Sequence, residues 1–229
     1  MGDTYGFLQT GQGQVIRLFK SSLGATEAEI LTDATNAPGA VPVAQSLGDA
    51  LNGQTITHSL FTEASGHLKI VYIMDKAGNT KAIFTNLAKT GSPNMGLQPM
   101  YKPVQIEVGD QVRGELKGAT SQGCVVLCFA NGTTQHYSAT GTTANTEMTE
   151  FRSGNGLGSA GTGNGPIIAY TGYAADGTVT LASIVDNQNV LKLNVQVAPA
   201  ESFQAGIIHK LATPVQPNLN WKLSTTLTA

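Results

Sequence analysis

The chain has 229 residues, of which only 12% are charged, and a formal net charge of −2 at neutral pH. That is about half the charged fraction of an ordinary soluble domain, and it excludes the basic field that nucleic acid or an anionic membrane surface would need. Hydrophobic residues make up 41% and fall in short regular runs, which excludes a disordered composition. A surface so weakly charged has little repulsion to hold copies of itself apart.

In chain order, residues 1–12 read as an arm, glycine-rich and without period. They lack the charged and apolar regions of a secretory signal. Gly6 stands where a myristoylation signal needs Ser or Thr. VIRLF at 15–19 is the first strand. The stretch 21–36 fits a short helix or a strand, and its counterpart GTTQHYSATGTT after Ala130 argues for strand. Pro38 and Pro42 bracket a loop. TITHSLF at 55–61 and HLKIVYIM at 67–74 are rich in branched and aromatic residues, as strands are. Turns at 63–66 and 75–79 and a return at 80–84 make a meander. A Pro- and Gly-rich excursion covers 90–103. VQIEVGDQVRGEL at 104–116 closes the half, bending at Gly109-Asp110.

CVVLCFA at 124–130 opens the second half, and Asn131-Gly132 is a sharp hairpin signal. GNGLGSAGTGNG at 154–165 reads as a flexible loop, followed by strands at 167–173, 178–185 and 190–197. The tail 214–228 corresponds to the strand at 104, with Trp221 as its anchor. The longest apolar runs are far too short to span a bilayer.

The two halves match. Leu47-Gly48 falls on Leu157-Gly158 at a shift of 110 residues. After one inserted residue, Ala64, Gly66, Ile73, Asp75 and Lys81 fall on Ala175, Gly177, Ile184, Asp186 and Lys192 at a shift of 111. Pro103-Val104-Gln105 falls on Pro214-Val215-Gln216 at the same shift, and upstream Val15 and Phe19 fall on Val125 and Phe129. So sustained a shift predicts a tandem duplication of one domain-sized module. The expected fold is all-β: two tandem, internally duplicated β-sandwich (jelly-roll-like) or small-barrel modules. Their expected bounds are an arm at 1–12 and modules at 13–121 and 122–229.

Little in the chain carries chemistry. The glycine stretch 154–165 superficially resembles a phosphate loop, but a dinucleotide fingerprint needs a helix directly after it. Pro166 and a β-type run follow instead, and no Walker lysine is present. His58, His67, His136 and His209 stand too far apart in sequence for a zinc motif. Cys124 and Cys128 share one face of a strand, about 13 Å apart. No disulfide closes over that distance, so both read as free core thiols. Asp75 and Asp186 occupy matching positions, each heading a turn whose amides an aspartate caps. Asp110 has no such match, because Trp221 stands there. Asn94, Asp49 and Glu107 show no clustering. No nucleophile–base pair is evident. Asn131-Gly132-Thr133 matches a glycosylation sequon and reads better as the hairpin turn. The expectation is no enzyme, with no catalytic, cofactor-binding or metal-ligating residue and no cofactor.

Tandem β-domains behind a glycine-rich arm resemble β-sandwich virion structural proteins, the capsid and capsid-decorating proteins of viruses and phages. The resemblance implies a self-assembling shell subunit, made in the host cytoplasm and incorporated into a virion. Its partners would be itself and other shell proteins, with no specific nucleic-acid binding and no membrane span. A chain of two similar modules fits a homotrimer, whose six modules make a pseudo-hexameric building unit. The alternative is a carbohydrate-binding or adhesive β-module pair. That role favours a platform of exposed aromatics, whereas Trp221 is the only Trp and the six Tyr are scattered. An enzyme without a recognisable motif is the third class.

Overall fold

The computed structural model describes residues 2–36, 38–91, 96–117, 122–140, 146–174, 179–199 and 207–227. The chain divides into two compact units, 1–117 and 118–229. The first contains β1 (Gly2–Thr10), β2 (Val15–Leu23), β3 (Ala28–Glu29), β4 (Leu31–Thr32) and helix α1 (Leu47–Leu51). After the helix come β5 (Thr55–Glu63), β6 (Leu68–Met74), β7 (Thr80–Ile83), β8 (Leu87–Lys89), β9 (Gln98–Gln105) and β10 (Gln111–Leu116). One sheet runs β4-β2-β1-β5-β8 with β9 also on β5, and the other runs β3-β10-β6-β7.

The second unit contains β11 (Gln122–Phe129), β12 (Thr134–Thr140), β13 (Thr149–Glu150) and helix α2 (Leu157–Gly161). It continues with β14 (Ile167–Ala174), β15 (Val179–Val185), β16 (Leu191–Gln196), β17 (Ala198–Pro199), β18 (His209–Val215) and β19 (Lys222–Leu227). Its sheets run β13-β12-β11-β14-β17, with β18 also on β14, and β16-β15-β19. Strand for strand this is the order of the first unit. Even the two-residue β3, where Glu29 faces Arg113, has a counterpart in the single bridge between Glu147 and Ser224.

The registers agree as well. On β5, Ile56 faces Val104 and His58 faces Pro99 across a bulge. On β14, Ile167 faces Val215 and Ala169 faces Lys210 across the same bulge. Strand β10 slips against β6 between Glu115 and Leu116, and β19 slips against β15 at the matching place.

Alternation builds the core of each unit. In the second, Val125, Leu127 and Phe129 from β11 join Tyr137, Ile167, Ala182, Ile184, Val195 and Leu223, with Leu157 from α2. Both sheets contribute, so the unit is a sandwich closed at one end by a short helix. Each fully buried aliphatic contributes about 1.5–3 kcal/mol. The first unit buries Leu8, Leu18, Ile56, Ile73 and Val112, with Leu47 from α1.

Several expectations need correction. Residues 1–12 are not an arm: β1 lies between β2 and β5 inside its sheet. Its buried positions are Thr4, Gly6, Leu8 and Thr10, a period of two written mostly in small and polar residues. Gly6 is needed there, because a Cβ would sit 2.4 Å from the ring of Phe61 on the facing strand. The corresponding pair in the second unit is Val125 opposite Gly172, so the small residue has changed strands. Gly13 and Gly132, with φ of 84° and 87°, close the matching β1–β2 and β11–β12 turns, a conformation glycine adopts without steric cost.

By sheet position Val15 therefore corresponds to Thr134, since Gln9 faces Val15 and Cys128 faces Thr134. The matches of Val15 to Val125 and Phe19 to Phe129 do not hold, and the bounds 13–121 and 122–229 move to 1–117 and 118–229. The glycine stretch 154–165 holds α2 and a 3-10 turn, Thr162–Asn164, rather than a flexible loop. The ambiguous 21–36 is strand where it is regular, as the end of β2, then β3 and β4. Part of the 90–103 excursion is β9. Asn94 and the junction at 118–121 lie outside the described residues.

A candidate functional cleft in the second unit

Three connections meet at one end of the β16-β15-β19 sheet. The turn 186–190 joins β15 to β16, the loop 216–221 leads into β19, and α2 packs against that loop. The amide of Gly158 in α2 donates to the Trp221 carbonyl at 3.0 Å. A Cβ on Gly158 would lie 2.0 Å from the Leu219 carbonyl oxygen. Only glycine brings the helix close enough to hold the loop there.

The turn is held by Asp186. Its Oδ1 accepts from the amides of Gln188 and Val190 at 2.9 and 2.8 Å, and its Oδ2 pairs with Lys192 Nζ at 2.9 Å. The Lys192 hydrogen bond and the Val190 amide hold the carboxyl below its usual range. Lys192 Nζ also lies 5.7 Å from the Trp221 ring centroid, which fixes the indole by a cation–π contact.

Between these parts is a cleft of about 330 Å³, lined by Trp221, Glu147, Ser159, Asn187, Asn220 and neighbouring residues. The side chains of Glu147, Ser159, Asn187 and Asn220 make no hydrogen bond or ion pair with the described residues. Register gives each a counterpart in the first unit, namely Glu29, Asp49, Lys76 and Gly109, and of these the glutamate is bound within its own unit. Ser46 Oγ donates to Glu29 at 2.5 Å. Lys81 Nζ binds Asp110 at 2.8 Å and Glu107 at 2.9 Å. The Lys76 side chain lies along Gly109. In the second unit Gly156 replaces Ser46, Trp221 replaces Asp110, Asn187 replaces Lys76 and Asn220 replaces Gly109.

The other singled-out residues are dispersed. Asp75 caps its turn by accepting the Asn79 amide at 2.8 Å, and it is in a different unit from Asp186. Asn131 Oδ1 accepts the Thr133 amide at 2.9 Å, a turn contact. Glu107 and Asp110, expected to stand apart, are brought together by Lys81, while Asp49 sits on α1. His58 Nδ1 lies 3.0 Å from Thr57 Oγ1, His67 follows a turn, and His209 stacks on Tyr170 at 5.2 Å. His136 is fully buried, its ring edge-on to Phe151 at 6.2 Å.

Cys124 and Cys128 are buried on β11 and form no disulfide. Burial pushes the Cys128 thiol up to about 12, so it is not a nucleophile at neutral pH. Burial, with the Cys124 contact, likewise raises Tyr173. Among the described residues no three His, Cys, Asp or Glu come together as metal ligands, and no helix is long and apolar enough to cross a membrane.

Sequence reasoning found Trp221 in the place of Asp110 but missed Glu147, Ser159, Asn187 and Asn220. At matching positions Glu147 lacks the hydroxyl partner that Ser46 gives Glu29, Ser159 and Asn187 replace the charged Asp49 and Lys76, and Asn220 replaces Gly109, changes legible only once the register is known. No protein-family model, curated protein or solved structure matches the chain.

Proposed function

We propose that the chain is a self-assembling structural protein, a capsid or capsid-decorating subunit of viral or phage type, with a homotrimer as its building unit. The observation that carries this reading is the strand order and register common to both units. On this reading they descend from one duplicated module. Three such chains in a closed ring contribute six similar modules, with true threefold and approximate sixfold symmetry. One evolved patch then serves the whole ring.

Low charge supports the reading, because a charge buried between copies must be paired or desolvated at a cost. Strand β16 supports it too. Its counterpart β7 is a four-residue edge, and each carries a lysine at the matching position, Lys81 and Lys192. By contrast β16 has six residues, and Leu191 and its neighbour Val190 are 51% and 49% exposed. A longer apolar edge is a template for pairing with another chain. Strand pairing therefore replaces an ordering arm as the contact between copies. Deleting residues 1–14 would remove β1 and unfold its sheet.

Light scattering on the eluting protein, followed by negative-stain microscopy, tests the proposal. The expected result is three times the chain mass and threefold particles, with Leu191→Lys reducing assembly at an unchanged melting temperature. A uniform monomer at every concentration would overturn it.

A further inference from the structure

We infer that the Trp221 cleft is a binding site for a neutral saccharide, a role independent of the assembly reading. The argument begins with what the fold does not require. The first unit shows that this end of the sandwich can be closed by its own polar groups: Glu29 is bound by Ser46, and Asp110 and Glu107 by Lys81. The second unit keeps the glutamate as Glu147 and drops the partners. Gly156 brings no hydroxyl, and a Cβ on it would meet the Glu147 carboxylate at 2.1 Å, so the carboxylate occupies the space a side chain would take.

What remains is a set of solvent-exposed donors and acceptors, none paired within the unit, beside the partly buried Trp221. The Glu147 carboxylate accepts only, the Asn187 and Asn220 amides donate and accept, and the Ser159 hydroxyl does both. A sugar ring has the complementary chemistry. Each hydroxyl donates and accepts, while the axial C–H groups form an apolar face that lies against an indole. Lys192 fixes that indole from its own ion pair with Asp186, so the platform is ordered before any ligand arrives, which lowers the entropic cost of binding. Charge argues for a neutral ligand. Glu147 and Lys222, of opposite charge, both line the cleft, and the Lys192–Asp186 pair is balanced. The volume of about 330 Å³ is at the small end of ligand sites and suits a mono- or disaccharide.

Trp221 is the only tryptophan, so its fluorescence reports the cleft directly. The full chain is titrated with glucose, galactose, mannose, N-acetylglucosamine, N-acetylgalactosamine, fucose, xylose, lactose and cellobiose, with sialic acid as the charged comparator. Saturation-transfer NMR gives a second readout that does not need the indole. The expected result is a saturable response to at least one neutral sugar, in the millimolar range. Glu147→Gln and Gly156→Ser should each weaken it about tenfold, equivalent to about 1.4 kcal/mol. Glu147 is exposed and Gly156 half-buried, and an unchanged melting temperature shows that both variants fold. Asn187→Lys, which installs the first unit's residue, should abolish the response. Silence toward every neutral sugar in both readouts overturns the inference. So does a response to sialic acid alone, or one that the three variants leave unchanged.

Discussion

The two units share strand order and register but differ in the side-chain contacts that hold them. In the first, Arg17 pairs with the buried Asp33 at 2.8 Å, Lys81 with Asp110, Lys69 with Glu115 and Arg113 with Glu27. In the second, His136 and Phe151 replace Arg17 and Asp33, meeting edge to face, and Lys192 on Trp221 replaces Lys81 on Asp110. The backbone barely registers the exchange: Asp33 N donates to Arg17 O and Phe151 N to His136 O, both at 2.9 Å. Nineteen of the charged residues precede residue 118 and nine follow it. A buried ion pair can thus give way to aromatic packing as a unit, because the pair's attraction mostly offsets its own desolvation. Alternation and turn placement, common to both units, set the order of the strands.

The largest expected effect tests what the units hold in common. Gly48 and Gly158 occupy one position in α1 and α2, and a Cβ would meet a loop carbonyl at 2.5 Å in the first and 2.0 Å in the second. Neither carbonyl is on a side chain that can swing away. Gly48→Val and Gly158→Val should each cost about 4 kcal/mol or more, with each destabilising its own unit in limited proteolysis and calorimetry. Gly163→Ala, with open space around it, should leave both transitions in place. Tolerance of valine at one position alone would show that the two helices are not held by the same contact.

A smaller effect separates the units. Asp110 is almost fully buried, and its Oδ2 accepts from Lys81 and from the Glu107 amide at 2.8 and 2.9 Å. Asp110→Ala orphans the Glu107 amide and leaves Lys81 with the exposed Glu107 carboxylate alone, and should cost the first unit about 2–3 kcal/mol in urea denaturation. Lys192→Ala, at the matching contact of the second unit, removes an exposed cation from the indole and from Asp186 and should cost about 0.5–1 kcal/mol. Equal losses would mean that the ion pair and the cation–π contact are interchangeable one group at a time, contrary to the contrast drawn between the units.

Much of the fold is legible in the sequence where apolar alternation is strong. TITHSLF lies in β5, HLKIVYIM after its first residue in β6 and CVVLCFA before its last in β11, and the Asp75 and Asp186 turns follow from an aspartate set three residues before Gly78 or Asn189, both at positive φ. Strand β1 is illegible for a physical reason. Its inward positions are Thr4, Gly6, Leu8 and Thr10, and the Gly6 that looks like flexibility is the room Phe61 needs. The five-residue helices are too short to show a period, so α2 reads as a glycine loop. The cleft draws on four separated segments, around 147, 156–159, 187 and 219–222. Its logic is visible only by comparison with the first unit, through a register that changes by several residues upstream of the helix.

The smallest effect sharpens the comparison most finely, because the turns headed by Asp75 and Asp186 look alike and differ in one partner. Asp75 N donates to Asn79 O at 2.9 Å and Asp186 N to Val190 O at 3.1 Å. Both carboxyls are held below the ordinary value of 3.8, Asp75 chiefly by the Asn79 amide and Asp186 chiefly by the Lys192 ammonium. A carboxyl that gives up its proton more readily in the folded chain stabilises the fold fully above its unfolded value. That contribution fades as the pH falls through the depressed folded value. Asp75→Asn and Asp186→Asn should therefore lower the melting temperature slightly at pH 7, and the deficit should shrink below pH 3.8 until it vanishes. Salt tells them apart. At 1 M the Debye length is about 3 Å, so the Asp186→Asn deficit should shrink while the Asp75→Asn deficit, set by backbone amides, persists. If salt erases both deficits or neither, Lys192 is not what distinguishes the second turn from the first.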